Sequence, residues 1–211
     1  MVTNKTVFFM IGILLVVLGF SMLVPYTIQI IYNENSHSFV ASSFVTIFIG
    51  ILFILANLEK DFKLNLRQTF LFSTLAWLMV AIFGSLPFLL SPKEFTFSEA
   101  FFESMSGITT TGSTVISNLD ETPKSILMWR AIMQWLGGVG IIVMATTVLP
   151  LLKVGGMQVF KTDSSEAEKL LPKTIEVASV IILIYTTLTF SCMTVYWLHG
   201  MSIFDLSLIH I

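Results

Sequence analysis

Charge is what this chain has least of. Asp, Glu, Lys and Arg make up 11% of its 211 residues, against about 25% in an ordinary soluble domain. That scarcity excludes a typical water-soluble globular protein. The formal net charge is −2 with no basic run, which excludes a nucleic-acid-binding surface. A single cysteine, Cys192, sits inside an apolar stretch. There is thus no disulfide framework and no cysteine metal cluster. The three histidines, His37, His199 and His210, share no ligand spacing. No HExxH helix and no Ser–His pairing occurs, so an intramembrane enzyme lacks its chemistry and no proton relay can be built. No enzymatic activity and no cofactor are expected.

What is abundant is apolar surface: 55% of residues are hydrophobic, and mean hydropathy is +0.88. A bilayer core of about 30 Å needs roughly 20 helical residues. Five segments are long enough, at 7–31, 39–57, 68–90, 126–150 and 175–198. The first follows Lys5 and is too long for a signal core, so it is expected to be a retained span. Pro25 and Pro87 fall near span ends, where a kink is tolerated. Trp77, Trp129, Trp135 and Trp197 are read as interface anchors or core packing. Lys5, then Lys60, Lys63 and Arg67, then Lys153, Lys161, Lys169 and Lys173 lie on one side if every segment crosses once. By the positive-inside rule that side, with the N-terminus, is cytoplasmic. The opposite side holds Glu34, His37 and the 91–125 region, which is poor in basic residues.

The 91–125 region is too apolar for an external loop. Phe95, Phe97, Phe101, Phe102, Met105 and Ile108 would be costly in water. Thr96 and Glu99 have the spacing of a capping box, and Gly107 is the expected helix end. From Phe97 to Gly107 a helix is roughly 16 Å long, about half a membrane. The alternative is an amphipathic helix lying on the outer surface. A threonine run, Thr109, Thr110 and Thr111, then Gly112 and Ser113, follows the helix and favours a re-entrant loop. The helix C-terminus carries about half a negative charge. The carbonyls beyond it can replace water around a cation, and Gly112 permits backbone angles closed to other residues. The predicted fold is an all-α membrane protein with five transmembrane helices plus one re-entrant pore helix and filter loop.

Arg130 near the outer end of the fourth span either pairs with Glu103 or Asp120 or snorkels to the interface. Glu103 either shapes an outer cation field or braces the loop. Gly137, Gly138 and Gly140 permit close helix packing or form a hinge.

The run from Ser98-Glu99-Ala100-Phe101-Phe102-Glu103 through Thr109-Thr110-Thr111-Gly112-Ser113 resembles the first pore loop of the Trk-type potassium uptake proteins, the TrkH subunit family. Trp129-Arg130, Gln134-Trp135-Leu136-Gly137-Gly138-Val139-Gly140-Ile141-Ile142, Leu149-Pro150-Leu151-Leu152 and Gly155-Gly156-Met157-Gln158 extend the likeness along nearly the whole chain. The resemblance implies potassium uptake across the bacterial cytoplasmic (inner) membrane, classed with symport, by four helix–loop–helix units around one pore. It implies that Thr110 and Thr111 contact the potassium ion through backbone oxygens, with Thr109 and Gly112 beside them and Ser113, Glu103 and Arg130 in support. Implied partners are the ion, the lipid bilayer, a cytosolic nucleotide-binding regulatory subunit docking on the connector, and a second copy of the chain. By the same pattern 1–67 holds two leading helices, 68–150 one complete unit and 151–174 a cytoplasmic connector. Residues 175–211 are then the start of a second, incomplete unit, with Ile203-Phe204-Asp205 echoing Phe97-Ser98-Glu99. A sodium-permeable relative and a non-transporting assembly subunit are the alternatives.

Overall fold

The computed structural model describes residues 4–34, 36–58, 65–148 and 167–208. Every regular element among them is helical. Five helices are long and apolar enough to cross a membrane: Lys5–Ile31, Ser38–Ala56, Arg67–Leu89, Lys124–Met144 and Ala178–Leu198. They correspond to the five expected spans. Their outward faces carry large apolar side chains, Phe44, Phe48 and Leu55 among them, as lipid requires in place of water. The chain divides into two compact units, Met1–Trp135 and Leu136–His210.

In the first unit, α1 (Lys5–Ser21) and α2 (Leu23–Ile31) make one span interrupted at Met22. Pro25 explains the break. Its ring collides with the carbonyl four residues back and it donates no N–H. The Ser21 hydroxyl turns inward to Leu18 O, 2.6 Å away. α3 (Ser38–Ala56) lies close against α1 because small residues face each other. A Cβ on Gly12 would come within 2.7 Å of Gly50 O, and one on Gly50 within 2.8 Å of Gly12 O. Ser43 adds a bond between the helices, donating to Gly19 O at 2.7 Å. Ser42 and Thr46 instead satisfy themselves on their own helix, at Ser38 O and Ser42 O.

The third span is α4 (Leu66–Gly84) followed by α5 (Leu86–Leu89). α4 opens with a capping box of Asn65 and Gln68. It breaks at Ser85, two residues before Pro87, for the same reason as at Pro25. Next come α6 (Phe97–Ile108), a single 3-10 turn at Leu119–Glu121, and α7 (Lys124–Val148). Phe39, Phe88, Ile126, Trp129, Ala131 and Met133 form the buried centre where these elements meet. Trp129 is core, not an interface anchor. Its ring meets Phe39 edge-on and its Nε1 donates to Gly84 O at 2.9 Å.

The second unit contains the rest of α7, then α8 (Ala167–Leu198) and α9 (Ile203–Leu208). α8 begins at Ala167, ahead of the expected 175, since the Ala-Glu-Lys-Leu-Leu start of this helix is rich in strong helix formers. α7 passes through Gly137, Gly138 and Gly140 without a break. A Cβ on Gly138 would lie 2.5 Å from the Tyr185 hydroxyl, whereas none of the described atoms comes within 4 Å of one on Gly140. Of the expected docking connector at 151–174, residues 151–166, with Lys153 and Lys161, lie outside the described residues, as do Lys60, Lys63 and His210, while 167–174 are helical in α8.

Candidate functional site

α6 starts where its sequence says it should. Thr96 accepts from Glu99 N at 3.3 Å, and the Glu99 carboxylate accepts from Thr96 N and its hydroxyl, both at 2.8 Å. Those two bonds, backbone first, hold the Glu99 carboxyl below its ordinary value. One face of α6 is buried, through Ala100, Glu103, Ser104, Gly107 and Ile108. The helix is seated close on α4. A Cβ on Gly84 would lie 2.6 Å from Ser104 Oγ, a hydroxyl that is fully buried and has no hydrogen-bond partner among the described residues.

The helix does not end at Gly107, as its sequence had indicated. It runs to Ile108 and is closed by a Schellman arrangement with Thr110 in the left-handed region at φ +58°. Thr110 N donates to Gly107 O and Thr111 N to Ser106 O, both at 3.0 Å. The smallness of Gly107 serves packing, since a Cβ there would stand 3.1 Å from Met133 Cβ. A β-branched residue at positive φ is an outlier, costing on the order of 1–3 kcal/mol. Gly112 follows at φ +76°, with Gln134 Nε2 3.2 Å from the place of its missing Cβ.

The loop's polar groups divide in a definite way. Thr109 Oγ1 donates to Met105 O at 2.8 Å. Its single proton is then used, so Thr111 is the donor in the 2.8 Å contact between the two hydroxyls. Ser113 O accepts from Ser106 Oγ at 2.6 Å. The carbonyls of Thr109, Thr110, Thr111 and Gly112 accept no hydrogen bond from any described residue. These are four consecutive hard oxygens beyond a helix C-terminus, Thr109 half-buried and the other three exposed, of the kind that can ligate a cation.

The return strand is braced from two directions. Glu103, 1% exposed, accepts from Thr114 Oγ1 at 2.7 Å and Val115 N at 2.6 Å through one oxygen. Its other oxygen takes Arg130 Nε at 2.8 Å. Arg130 is 7% exposed, so it pairs inward and does not snorkel. Farther along, Lys93 Nζ donates to Ser117 O at 2.9 Å and to Thr122 Oγ1 at 3.4 Å. Glu34 reaches from the first hairpin to the start of α7, accepting from Ser125 N and its hydroxyl. A carboxylate is favourable at a helix N-terminus. Neither tie was foreseen, because the partners stand 24 and 91 residues apart. Thr109, Thr110, Thr111, Gly112, Ser113, Glu103 and Arg130 thus come together, while Gly137, Gly138 and Gly140 belong to the other unit.

A family model described as "TrkH: Cation transport protein" matches residues 35–205. The chain belongs to the TrkH family. This is a family of transporters, not of enzymes. Among curated TrkH relatives, the Trk system potassium uptake protein TrkH of Vibrio parahaemolyticus is 38% identical over 206 residues, or 95% of this chain and 42% of that protein. The protein of the same name from Escherichia coli K12 is 37% identical over 200 residues, covering 92% and 41%. An uncharacterized cation transporter of Methanocaldococcus jannaschii is also 37% identical, over 198 residues. The crystal structure of the potassium transporter TrkH from Vibrio parahaemolyticus superimposes with a TM-score of 0.85 at 36% identity, covering 98% of this chain and 42% of that one. The chain therefore spans about two fifths of the length of the TrkH relatives it matches.

Proposed function

We propose that this chain carries part of the ion path of a potassium uptake protein. Residues 97–113 dip into the membrane from outside and return, and the carbonyls of Thr109, Thr110, Thr111 and Gly112 replace water around a potassium ion. The observation that carries this reading is the run of four carbonyls without hydrogen-bond partners among the described residues, directly beyond the C-terminus of α6. Non-helical backbone at membrane depth is tolerated only where it is buried in protein or lines a wet path, and Thr110, Thr111 and Gly112 are exposed. The helix end adds about half a negative charge without any ionised side chain. The names of the relatives supply the ion.

In this reading 1–67 is a leading helical pair, 68–150 one complete pore unit and 151–174 a connector, with the N-terminus cytoplasmic in a bacterial inner membrane. Residues 175–211 begin a second unit. In support, Ser202 and Asp205 cap α9 as Thr96 and Glu99 cap α6, with bonds of 2.6 and 3.2 Å. The connector offers a docking place for a cytosolic nucleotide-binding subunit, and a second copy completes the assembly. Transport is by symport, and Gly137, Gly138 and Gly140 form a hinge in α7, with no described atom within 4 Å of a Cβ placed on Gly140.

The test is potassium uptake by the full-length protein with Gly112→Val. Valine is strained at the positive φ of this position and its side chain meets Gln134. Uptake should be abolished while membrane insertion is unchanged. Normal uptake by a stably inserted Gly112→Val protein would refute the reading. Competition between sodium and potassium in the same assay distinguishes a sodium-permeable relative, and no flux from the parent protein would indicate an assembly subunit.

A further inference from the structure

Ser106 sits in the last turn of α6, 5% exposed. Both its carbonyl and its hydroxyl bond to the loop that follows. Ser106 O accepts from Thr111 N at 3.0 Å and from Gly112 N at 3.4 Å. Ser106 Oγ donates to Ser113 O at 2.6 Å. All peptide bonds here are trans. In a trans peptide the N–H of one residue points opposite to the C=O of the residue before it. With the amides of Thr111 and Gly112 drawn toward α6, the carbonyls of Thr110 and Thr111 are turned away from it. The next relationship is reversed at Ser113. There the carbonyl is drawn toward α6, and the N–H of Thr114 takes the outward sense.

We propose that Ser106 is a positioning residue that sets the length of the ion-facing carbonyl ladder, its hydroxyl withdrawing the Ser113 carbonyl so that the ladder ends at Gly112. The inference rests on the reading of residues 109–112 as a filter. Any residue at 106 supplies the backbone carbonyl, but the hydroxyl is particular to serine or threonine. Without that donor, the peptide between Ser113 and Thr114 is free to flip and present a fifth oxygen to the ion. The number and field strength of coordinating carbonyls govern discrimination between potassium and the smaller, more strongly hydrated sodium. Ser106 therefore acts on selectivity through Ser113 without touching the ion.

The experiment compares Ser106→Ala, Ser106→Cys and Ser106→Thr in the full-length protein. It measures uptake of potassium and of sodium per inserted molecule and takes the ratio of their apparent affinities. Alanine removes the donor, cysteine keeps the volume with a weak donor, and threonine keeps the hydroxyl. The ratio should fall roughly threefold to tenfold with alanine and cysteine, the range set by one neutral hydrogen bond. It should stay at the parent value with threonine. A folding defect alone would lower the amount of protein and leave the ratio unchanged. If Ser106→Ala fails to insert, Ser106→Cys decides alone. A parent ratio in the alanine and cysteine variants, or an equal fall with threonine, would overturn the inference. A parent protein without saturable potassium uptake would overturn the filter reading as well, so the two failures are distinguishable.

Discussion

Replacing Glu103 by glutamine changes one atom and removes a charge from a site sealed from water. The carboxylate is 1% exposed and accepts three hydrogen bonds, from Arg130 Nε, Thr114 Oγ1 and Val115 N, at 2.8, 2.7 and 2.6 Å. All three partners are donors. A glutamine has one oxygen and one NH2 group, so whichever way it turns a donor faces a donor. Either Arg130 or the Thr114–Val115 pair loses its acceptor. Each charge-assisted bond contributes about 1.5–3 kcal/mol, and leaving one member of a buried ion pair unpaired costs about 3–5 kcal/mol. We expect Glu103→Gln to destabilise the protein by the latter amount. Arg130→Met leaves the buried Glu103 carboxylate without its counter-charge and should cost a similar amount. The double variant should be more stable than the sum of the two losses by about 0.5–3 kcal/mol. Unfolding titrations in mixed micelles on all four proteins measure this coupling. Strict additivity, or a Glu103→Gln protein as stable as the parent, would refute the argument that the return strand hangs on this pair.

Two further outcomes follow from the geometry. Gly12→Ala should destabilise by about 1–3 kcal/mol, the range for overpacking, because its Cβ would lie 2.7 Å from a backbone oxygen that has no rotamer to move. Gly140→Ala, with nothing described within 4 Å, should instead stabilise by about 0.5–1 kcal/mol. The same titrations rank the two, and equal effects would contradict the packing. For Glu99 the carboxyl is held below its ordinary value of 4.5. Its contribution is therefore complete above that value and is lost as pH falls through the lower folded one. The stability difference between parent and Glu99→Gln, followed against pH, should be constant above 4.5 and vanish on acidification. A difference that persists at strongly acid pH would contradict the capping role.

Local spacing made much of this molecule legible. The five spans follow from uninterrupted apolar runs, and the Thr96–Glu99 box from a three-residue interval that geometry then completes. The Asn65–Gln68 box has the same interval. Hydropathy alone, which starts that span at 68, passes over it. The end of α6 misled for a physical reason. Glycine commonly stops helices, but here its missing side chain admits Met133, and a threonine takes the left-handed position despite its own preference. Arg130 had two acidic candidates at sequence level, and only folding selected Glu103. Lys93 was legible as a charge, not as the clasp on Ser117 and Thr122.

The unfavourable twist at Thr110 bears on how the loop meets its cargo. A peptide of this composition, left to itself, would relax into another shape, so the bend is imposed by the surrounding scaffold when the chain folds. On the filter reading proposed above, an arriving alkali ion would find its coordinating groups already in place and would have no disordered loop to organise. Binding can stay weak enough for rapid release and still be choosy. On the same reading, relieving that imposed bend with Thr110→Gly would leave a loop that costs less to fold but would have to be rearranged at each passage.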